Sequence, residues 1–266
     1  MADITLNRLR AGDGVPPIVF VHGFLCRLQD WRHQLTHFAE GHTVVACDLR
    51  GHGESPRGEA PMTIETVGGD VARMLGEEDL TGAILIGHSM GCRVVMEAWR
   101  QAKHRVAGLV LVDGSQVGID KAAGQASWDL AISEKGYKAV VLSLFEDMFF
   151  GDPPSWKDEA IGKVLSIPEA TGAPLFGALI GWDAEQLTPT MTSLDIPVLV
   201  LQSTTMRLDR VRRVLAEGEE GPFQELILKS VAGAESQTIS GPGHFSMTEA
   251  PDATNARIAR FIAERF

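Results

Sequence analysis

The feature that most constrains the fold of this chain is a serine framed by glycines, between an apolar run and a helical pattern. Residues 87–91 read Gly-His-Ser-Met-Gly, after the apolar run Ala-Ile-Leu-Ile at 83–86. The glycines allow a tight turn that strains the serine and presents its hydroxyl above a helix N-terminus. A strand, a sharp turn and a helix in this order is the context of a nucleophile elbow, so we predict that Ser89 is a nucleophile.

Short apolar runs alternate with helical patterns on both sides of this segment. The helical patterns lie at 64–78 and 90–102, and the runs, predicted as buried parallel strands, lie at 17–22, 43–48, 82–88 and 106–112. This alternation predicts an α/β fold, with a mostly parallel central sheet flanked by helices.

The alternation of apolar runs and helical patterns stops over residues 116–190, which contain three of the five tryptophans. We predict a helical cap, or lid, over 116–190, inserted after the sixth strand, and one core domain formed by 1–115 and 191–266. Beyond the cap we predict strands at 196–202 and 235–239, and helices at 209–216, 223–231 and 251–266.

A serine hydroxyl is a weak nucleophile and needs a base. His244 lies in the Gly-Pro-Gly-His-Phe segment 241–245, between the last predicted strand and the last predicted helix. We predict that His244 is the general base, and that the backbone amides of Phe24 and Met90 form an oxyanion hole.

Four segments in this order resemble the landmarks of the α/β-hydrolase fold superfamily. They are Val-His-Gly-Phe at 21–24, Asp-Leu-Arg-Gly-His-Gly-Glu-Ser at 48–55, the serine segment 87–91 and Gly-His-Phe at 243–245. The similarity spans almost the whole chain and is weakest in the cap. It implies the α/β-hydrolase fold and a catalytic triad that includes an acid.

The predicted position of the acid of the catalytic triad differs from the usual position in the superfamily. Members of the superfamily usually carry it after the strand that follows the cap, but residues 201–206 read Leu-Gln-Ser-Thr-Thr-Met. Some branches carry it one strand earlier, where Asp113 follows the run 106–112. We therefore predict Asp113 as the acid that fixes the histidine tautomer, although an Asp there also suits a turn. Asp209 is the reserve candidate, at a position that also suits a helix N-cap.

These residues predict a serine hydrolase that cleaves a small hydrophobic or aromatic carboxylic ester through an acyl-enzyme, with no cofactor. Trp128, Phe149 and Trp182 of the cap are candidate pocket residues. A lactonase or carbon–carbon bond hydrolase with the same triad stays open. So do a cofactor-independent dioxygenase of a heteroaromatic ring and a low-turnover ligand receptor.

The composition of the chain limits the classes of molecule that it is expected to bind. A formal net charge of -11 disfavours nucleic acid and anionic membrane surfaces, and no apolar run is long enough to span a membrane. The three cysteines have no metal-type pairing and the first residues have no apolar secretory stretch, so we expect a cytoplasmic protein without a metal. The expected partner is a small hydrophobic molecule, and the oligomeric state, monomer or homodimer, stays open.

Overall fold

The computed structural model describes residues 4–206 and 211–266. Its strands, in chain order, are β1 (Arg8–Ala11), β2 (Ile18–Val21), β3 (Val44–Cys47), β4 (Ala83–His88), β5 (Val106–Val112), β6 (Val198–Gln202), β7 (Thr204–Met206), β8 (Arg212–Val214) and β9 (Glu235–Thr238). Seven of these described strands form one sheet in the order β1-β3-β2-β4-β5-β6-β9. Every pairing in that sheet is parallel except β1 with β3. The predicted fold class, an α/β-hydrolase fold with a mostly parallel sheet, is confirmed.

Helices cover both faces of this sheet. In the described ranges they are α1 (Arg32–Phe38), α2 (Ile64–Glu77), α3 (Gly91–Gln101), α4 (Lys121–Lys135), α5 (Tyr137–Glu146), α6 (Lys157–Leu165), α7 (Glu169–Glu185), α8 (Leu187–Thr192), α9 (Pro222–Ser230), α10 (Ser246–Glu249) and α11 (Pro251–Arg265). The side chains of β2, β3, β4 and β6 are buried along their full length. A parallel strand covered on both faces is apolar throughout, which explains the continuous runs in the sequence.

The insert between β5 and β6 is helical and consists of α4 to α8. It follows the fifth strand of the described chain, so the prediction that it follows the sixth strand was wrong. Only β1 precedes β2 among the described residues, and three of the four residues of β1 are exposed. Such an edge strand carries two arginines and no apolar run, so its sequence gave no signal of a strand.

The segment predicted as a helix at 209–216 is a second correction. Arg212–Val214 is strand β8, which pairs antiparallel with β7, while residues 207–210, including Asp209, lie outside the described residues. A short run with alternating side chains satisfies helical and strand periods about equally well. The pairing with the β-branched Thr204 and Thr205 decides in favour of the strand.

In the described ranges no single helix is both long and apolar enough to cross a membrane. Helices α6 and α7 reach that length and composition only as a pair, with a bend of 97° between them.

Candidate active site

Ser89 lies at the carboxyl end of β4, in the turn that opens α3. Its φ of 54° is in the left-handed region, which costs a non-glycine residue on the order of 1–3 kcal/mol. The serine amide donates a 2.8 Å hydrogen bond to the Val112 carbonyl, which ties the turn to β5. A Cβ at Gly87 would lie 2.3 Å from the Gly91 carbonyl oxygen, and one at Gly91 would lie 2.6 Å from the Val21 carbonyl oxygen. Both glycines are therefore required by close backbone contacts, as an elbow demands.

Ser89 opens onto a cavity of about 210 Å³ between the core and the cap, which we call the elbow cavity. Its wall is formed by Phe24, Ser89, Met90, Arg93, Ser115, Val117, Ser143, Leu144, Asp147, Met148, Phe176, Leu179, Met206 and Arg212. Within the described part of the chain, the amides of Phe24 and Met90 and the Ser89 hydroxyl make no hydrogen bond. Two unbonded amides on residues that line the same cavity as Ser89 are candidate donors for an oxyanion hole.

His244 lies in the loop between β9 and α10, at the same end of the sheet as Ser89. Its amide donates a 3.0 Å hydrogen bond to the Met148 carbonyl of the cap, and its carbonyl accepts a 2.8 Å bond from Nε2 of His88. Because His88 directly precedes Ser89 and its ring centroid lies 4.7 Å from that of His244, the structure brings the two predicted residues into one region. Nε2 of His244 is buried without a hydrogen-bond partner among the described residues, so the bond to Ser89 is not formed in this state.

Asp113 ends β5 with a φ of 49° and is fully buried. Its Oδ1 accepts from the amides of Ser203 and Thr204 at 2.9 Å each and from Thr204 Oγ1 at 3.2 Å; its Oδ2 accepts from Ser203 Oγ at 2.6 Å and Ser246 Oγ at 3.0 Å. Burial raises the pKa of this carboxyl, against the opposing effect of these bonds. Asp113 makes no direct hydrogen bond to His244, contrary to a simple triad.

The link between Asp113 and His244 is the hydroxyl of Thr204. Thr204 Oγ1 lies 3.2 Å from Asp113 Oδ1 and 3.4 Å from His244 Nδ1. Thr204 begins β7, directly after β6, the strand that follows the cap. Its hydroxyl connects the histidine to the carboxylate that follows the neighbouring strand β5.

Arg212 of β8 is a site residue that sequence reasoning missed. Its Nη1 donates to His244 Nδ1 and to Thr204 Oγ1, both at 2.9 Å. Because a guanidinium can only donate, Nδ1 must accept, and a neutral imidazole then carries its proton on Nε2. Burial and the Arg212 cation hold the pKa of His244 well below its usual value, so the ring is neutral at pH 7. Burial lowers the pKa of Arg212 to about 10, which leaves it charged.

A second arginine, Arg93 of α3, joins the elbow to the cap. Its Nε and Nη2 donate to the two carboxylate oxygens of Asp183 in α7, at 2.9 and 2.8 Å, and its Nη1 donates to the Ser89 carbonyl at 3.1 Å. Both side chains of the ion pair are buried. Asp183 also accepts from the Val117 amide at 2.7 Å, so one carboxylate orders the start of the cap and balances the arginine.

The three predicted pocket residues do not line the elbow cavity. Trp128 is buried against Phe176 and donates to the Ala173 carbonyl, and Trp182 is buried with its indole N–H directed to Glu97. Phe149 packs on Trp156 and Phe245. Each ring holds the cap together or attaches it to the core. The cap residues on the cavity wall are Val117, Ser143, Leu144, Asp147, Met148, Phe176 and Leu179.

Two other features bear on the chemistry. Burial raises the pKa of the Cys92 thiol to about 12, so this neighbour of the elbow stays a thiol. Within 4–206 and 211–266, no group of three or more His, Cys, Asp or Glu side chains is placed to hold a metal ion.

The fold and this geometry agree with the comparison to known families. The model of the Alpha/beta hydrolase family matches residues 18–257. The chain therefore belongs to the Alpha/beta hydrolase family.

Curated relatives carry several activities in their names. The acetyltransferase component of the acetoin cleaving system from Cupriavidus necator, a dihydrolipoyllysine-residue acetyltransferase, is 29% identical over 97% of this chain and 67% of its own length. A non-heme chloroperoxidase from Streptomyces lividans is 40% identical over 38% of this chain and only 37% of its own length. Esterase YbfF from Escherichia coli is 23% identical over 92% of each protein.

Among solved structures, a thermophilic esterase from Thermogutta terrifontis matches with a TM-score of 0.79 and 23% identity, over 98% of this chain and 94% of that one. An enzyme that degrades N-acyl homoserine lactones, Est816, matches with a TM-score of 0.78 and 21% identity, over 97% of each chain. At this identity the likeness describes the fold.

Proposed function

We propose that this protein hydrolyses a small carboxylic ester through an acyl-enzyme on Ser89. The observation that carries the proposal is the elbow itself. Ser89, whose hydroxyl makes no hydrogen bond among the described residues, lines the elbow cavity together with Phe24 and Met90, whose amides are also unbonded. Family membership and the esterase among the full-length relatives support a hydrolase.

In the first half-reaction, the Ser89 oxygen forms a bond to the ester carbonyl carbon while Nε2 of His244 takes the hydroxyl proton. The amides of Phe24 and Met90 donate to the negative oxygen of the tetrahedral intermediate. The bond from carbon to the leaving oxygen then breaks, and the imidazolium returns its proton to the departing alkoxide. The products are the acyl-enzyme and an alcohol.

In the second half-reaction, His244 takes a proton from water and the resulting hydroxide attacks the acyl carbonyl. The bond to Ser89 breaks, the serine oxygen recovers its proton from the imidazolium, and a carboxylic acid leaves. The balance is one ester and one water consumed for one alcohol and one acid. A lactone enters the same cycle and gives one open-chain product.

Base catalysis by Nε2 requires the other neutral tautomer, with the proton on Nδ1. In that tautomer Nδ1–H donates to Thr204 Oγ1, and the threonine hydroxyl donates to Asp113. The Asp113 carboxylate then stabilises the imidazolium through the hydroxyl, because a buried network of fixed donors holds it in place. We assign Asp113 and Thr204 as positioning residues and His244 as the base.

The residues that line the elbow cavity indicate the size and polarity of the substrate. Eight of the described wall residues are apolar, namely Phe24, Met90, Val117, Leu144, Met148, Phe176, Leu179 and Met206. A volume of about 210 Å³ suits a short acyl or aryl group.

The test is covalent labelling combined with rapid kinetics. With 4-nitrophenyl butyrate in excess, we expect a burst of one nitrophenolate per protein, and a fluorophosphonate should label Ser89 in a peptide map. Ser89→Ala should abolish both. Ser143→Ala removes another hydroxyl from the same cavity and should leave the label on residue 89. Absence of labelling and burst, or oxygen uptake with a hydroxyquinolone and no ester turnover, would overturn the proposal.

A further inference from the structure

Among the described residues, two arginines lie on the wall of the elbow cavity, and their charges are balanced differently. Arg93 is paired with both carboxylate oxygens of Asp183. For Arg212, by contrast, none of the described Asp or Glu residues has a carboxylate oxygen within 4.0 Å of the guanidinium. Its hydrogen bonds go to the hydroxyl of Thr204 and the ring nitrogen of His244, which are both neutral acceptors.

Asp113 and Asp147 act on the Arg212 charge, but neither lies in contact with it. A partly buried cation whose hydrogen bonds all go to neutral acceptors is less compensated than Arg93, which is paired directly. Arg212 also faces the space next to Ser89, because both residues line the elbow cavity. A guanidinium offers a planar set of donors that matches a carboxylate through two parallel hydrogen bonds. The cavity therefore combines apolar walls with one cation able to accept an anionic group.

The same arginine controls the tautomer of the base. While Nη1 donates to Nδ1 of His244, the ring proton stays on Nε2 and the ring is unable to accept a proton from Ser89. When Arg212 is drawn away, Nδ1 regains a proton and donates to Thr204, while Nε2 loses its proton and becomes the acceptor. No net charge is gained or lost in this exchange.

We propose that Arg212 binds a carboxylate carried by the substrate, and that this ion pair withdraws Arg212 from His244 and releases the base. The inference rests on the proposed ester hydrolysis and names its substrate class, which is anionic esters or lactones. While Arg212 donates to Nδ1, the histidine is held in the unproductive tautomer, so a substrate that draws Arg212 away completes the site that it uses.

One carboxylate on the cavity wall opposes an anion. Asp147 at the end of α5 is exposed and interacts favourably with the Arg212 charge across the cavity. Asp113 faces Arg212 from behind Thr204, and Arg93 adds a positive charge that Asp183 already balances. We therefore expect Asp147→Asn to increase the preference for an anionic substrate.

The first experiment compares 4-nitrophenyl hydrogen adipate with its methyl ester, which is of similar size and neutral, after subtraction of spontaneous hydrolysis. In the wild-type protein, kcat/KM should be at least about tenfold higher for the anionic ester than for the neutral one. This is the gain expected from one charge-assisted hydrogen bond between Arg212 and the carboxylate. Arg212→Gln should bring the ratio close to one. Equal kcat/KM values for the two esters, or a ratio unchanged by Arg212→Gln, would overturn the proposal.

Arg213→Gln is the matched control. It removes the same charge from the neighbouring residue of β8, whose guanidinium pairs with Glu219 instead of facing the cavity. The ratio of the two esters should be as in wild type. A ratio that falls equally in both variants would mean that overall charge sets the preference, which contradicts a site at Arg212.

A binding experiment separates this proposal from the proposed hydrolysis. Adipate should raise the Tm of Ser89→Ala protein, which does not turn over, and should not raise the Tm of the Ser89→Ala, Arg212→Gln double variant. Adipate binding without any Ser89 labelling would refute ester hydrolysis and keep the carboxylate site. Ser89 labelling with neither adipate binding nor charge preference would refute the carboxylate site alone.

Discussion

The two halves of the candidate site are held in place by different means. The serine half consists of residues 87–91 and the Phe24 amide, and backbone contacts fix it: a left-handed Ser89, two glycines against carbonyl oxygens and a hydrogen bond to β5. The histidine half consists of Asp113, Thr204, Arg212 and His244, and side-chain hydrogen bonds connect it. The first half is fixed by backbone geometry, whereas the second depends on contacts between side chains. The exchange of partners proposed for Arg212 therefore affects the histidine half and leaves the serine half unchanged.

The largest effect should come from the serine half. Ser89→Ala removes the nucleophile and should lower kcat by about 10⁴-fold or more, with the Tm nearly unchanged because alanine takes the same backbone strain. Steady-state kinetics with 4-nitrophenyl butyrate and a thermal melt measure the two quantities. Residual activity within tenfold of wild type would show that this half is not the reacting one.

Asp113→Asn tests the far end of the histidine half. Since an amide cannot stabilise the imidazolium as a carboxylate does, kcat should fall about 10²- to 10⁴-fold. Asp48→Asn is the control, because Asp48 is equally buried and accepts hydrogen bonds from the amides of Leu28 and Glu54, away from His244. If Asp113→Asn and Asp48→Asn lose kcat equally and stability equally, the role of Asp113 is structural only.

Asp183→Asn tests how the serine half is attached to the cap. It leaves the Arg93 charge buried without its partner, which should lower the free energy of unfolding by about 3–5 kcal/mol. Glu185→Gln, two residues along α7, breaks the exposed pair with Lys121 and should cost less than about 1 kcal/mol. Urea unfolding measures both. A small loss in Asp183→Asn would show that the buried pair is not what anchors α7.

Thr204→Val tests the hydroxyl that connects the histidine half. Loss of one hydrogen bond should lower kcat by about tenfold with little change in KM, whereas Thr204→Ser keeps the hydroxyl and should stay near wild type. Thr205→Val changes the next buried threonine in β7 and is the matched control. If Thr204→Val and Thr204→Ser behave alike, Asp113 does not act through residue 204.

The smallest effect is on pH dependence. Burial and the Arg212 cation lower the pKa of His244, and a base acts in its neutral form. The acid limb of kcat/KM should therefore lie below the ordinary histidine pKa of about 6.5. Arg212→Gln removes one of the two main causes, so the limb should move to higher pH. A limb that moves to lower pH, or does not move, would contradict the contact between these side chains.

The sequence predicted the serine half well because its constraints are local. Glycines at fixed distances from Ser89, a preceding apolar strand and a following helix all lie within about twenty residues. The parallel strands were visible for a similar reason, since strands buried on both faces are apolar throughout. The roles assigned to Ser89, Phe24 and Met90 remain predictions until the experiments above are done.

The histidine half could be predicted only in part. His244 and Asp113 were named from their places after strands, but the contact of Thr204 with both depends on three-dimensional register. Arg212 was read as part of a helix because its short segment fits two periodicities. The cap aromatics were assigned to the pocket by composition, which does not reveal that Trp128 is buried within the cap and that Trp182 is buried against Glu97 of the core.

The bond from the His244 amide to the Met148 carbonyl has a mechanical meaning. A Cβ at Gly243 would lie 2.7 Å from that same oxygen, so the loop is shaped to receive the cap at this point. The loop that carries the imidazole is thereby attached to the backbone of the cap just beyond α5. A displacement of the cap at Met148 would break this hydrogen bond, so the position of the base depends on the position of the cap.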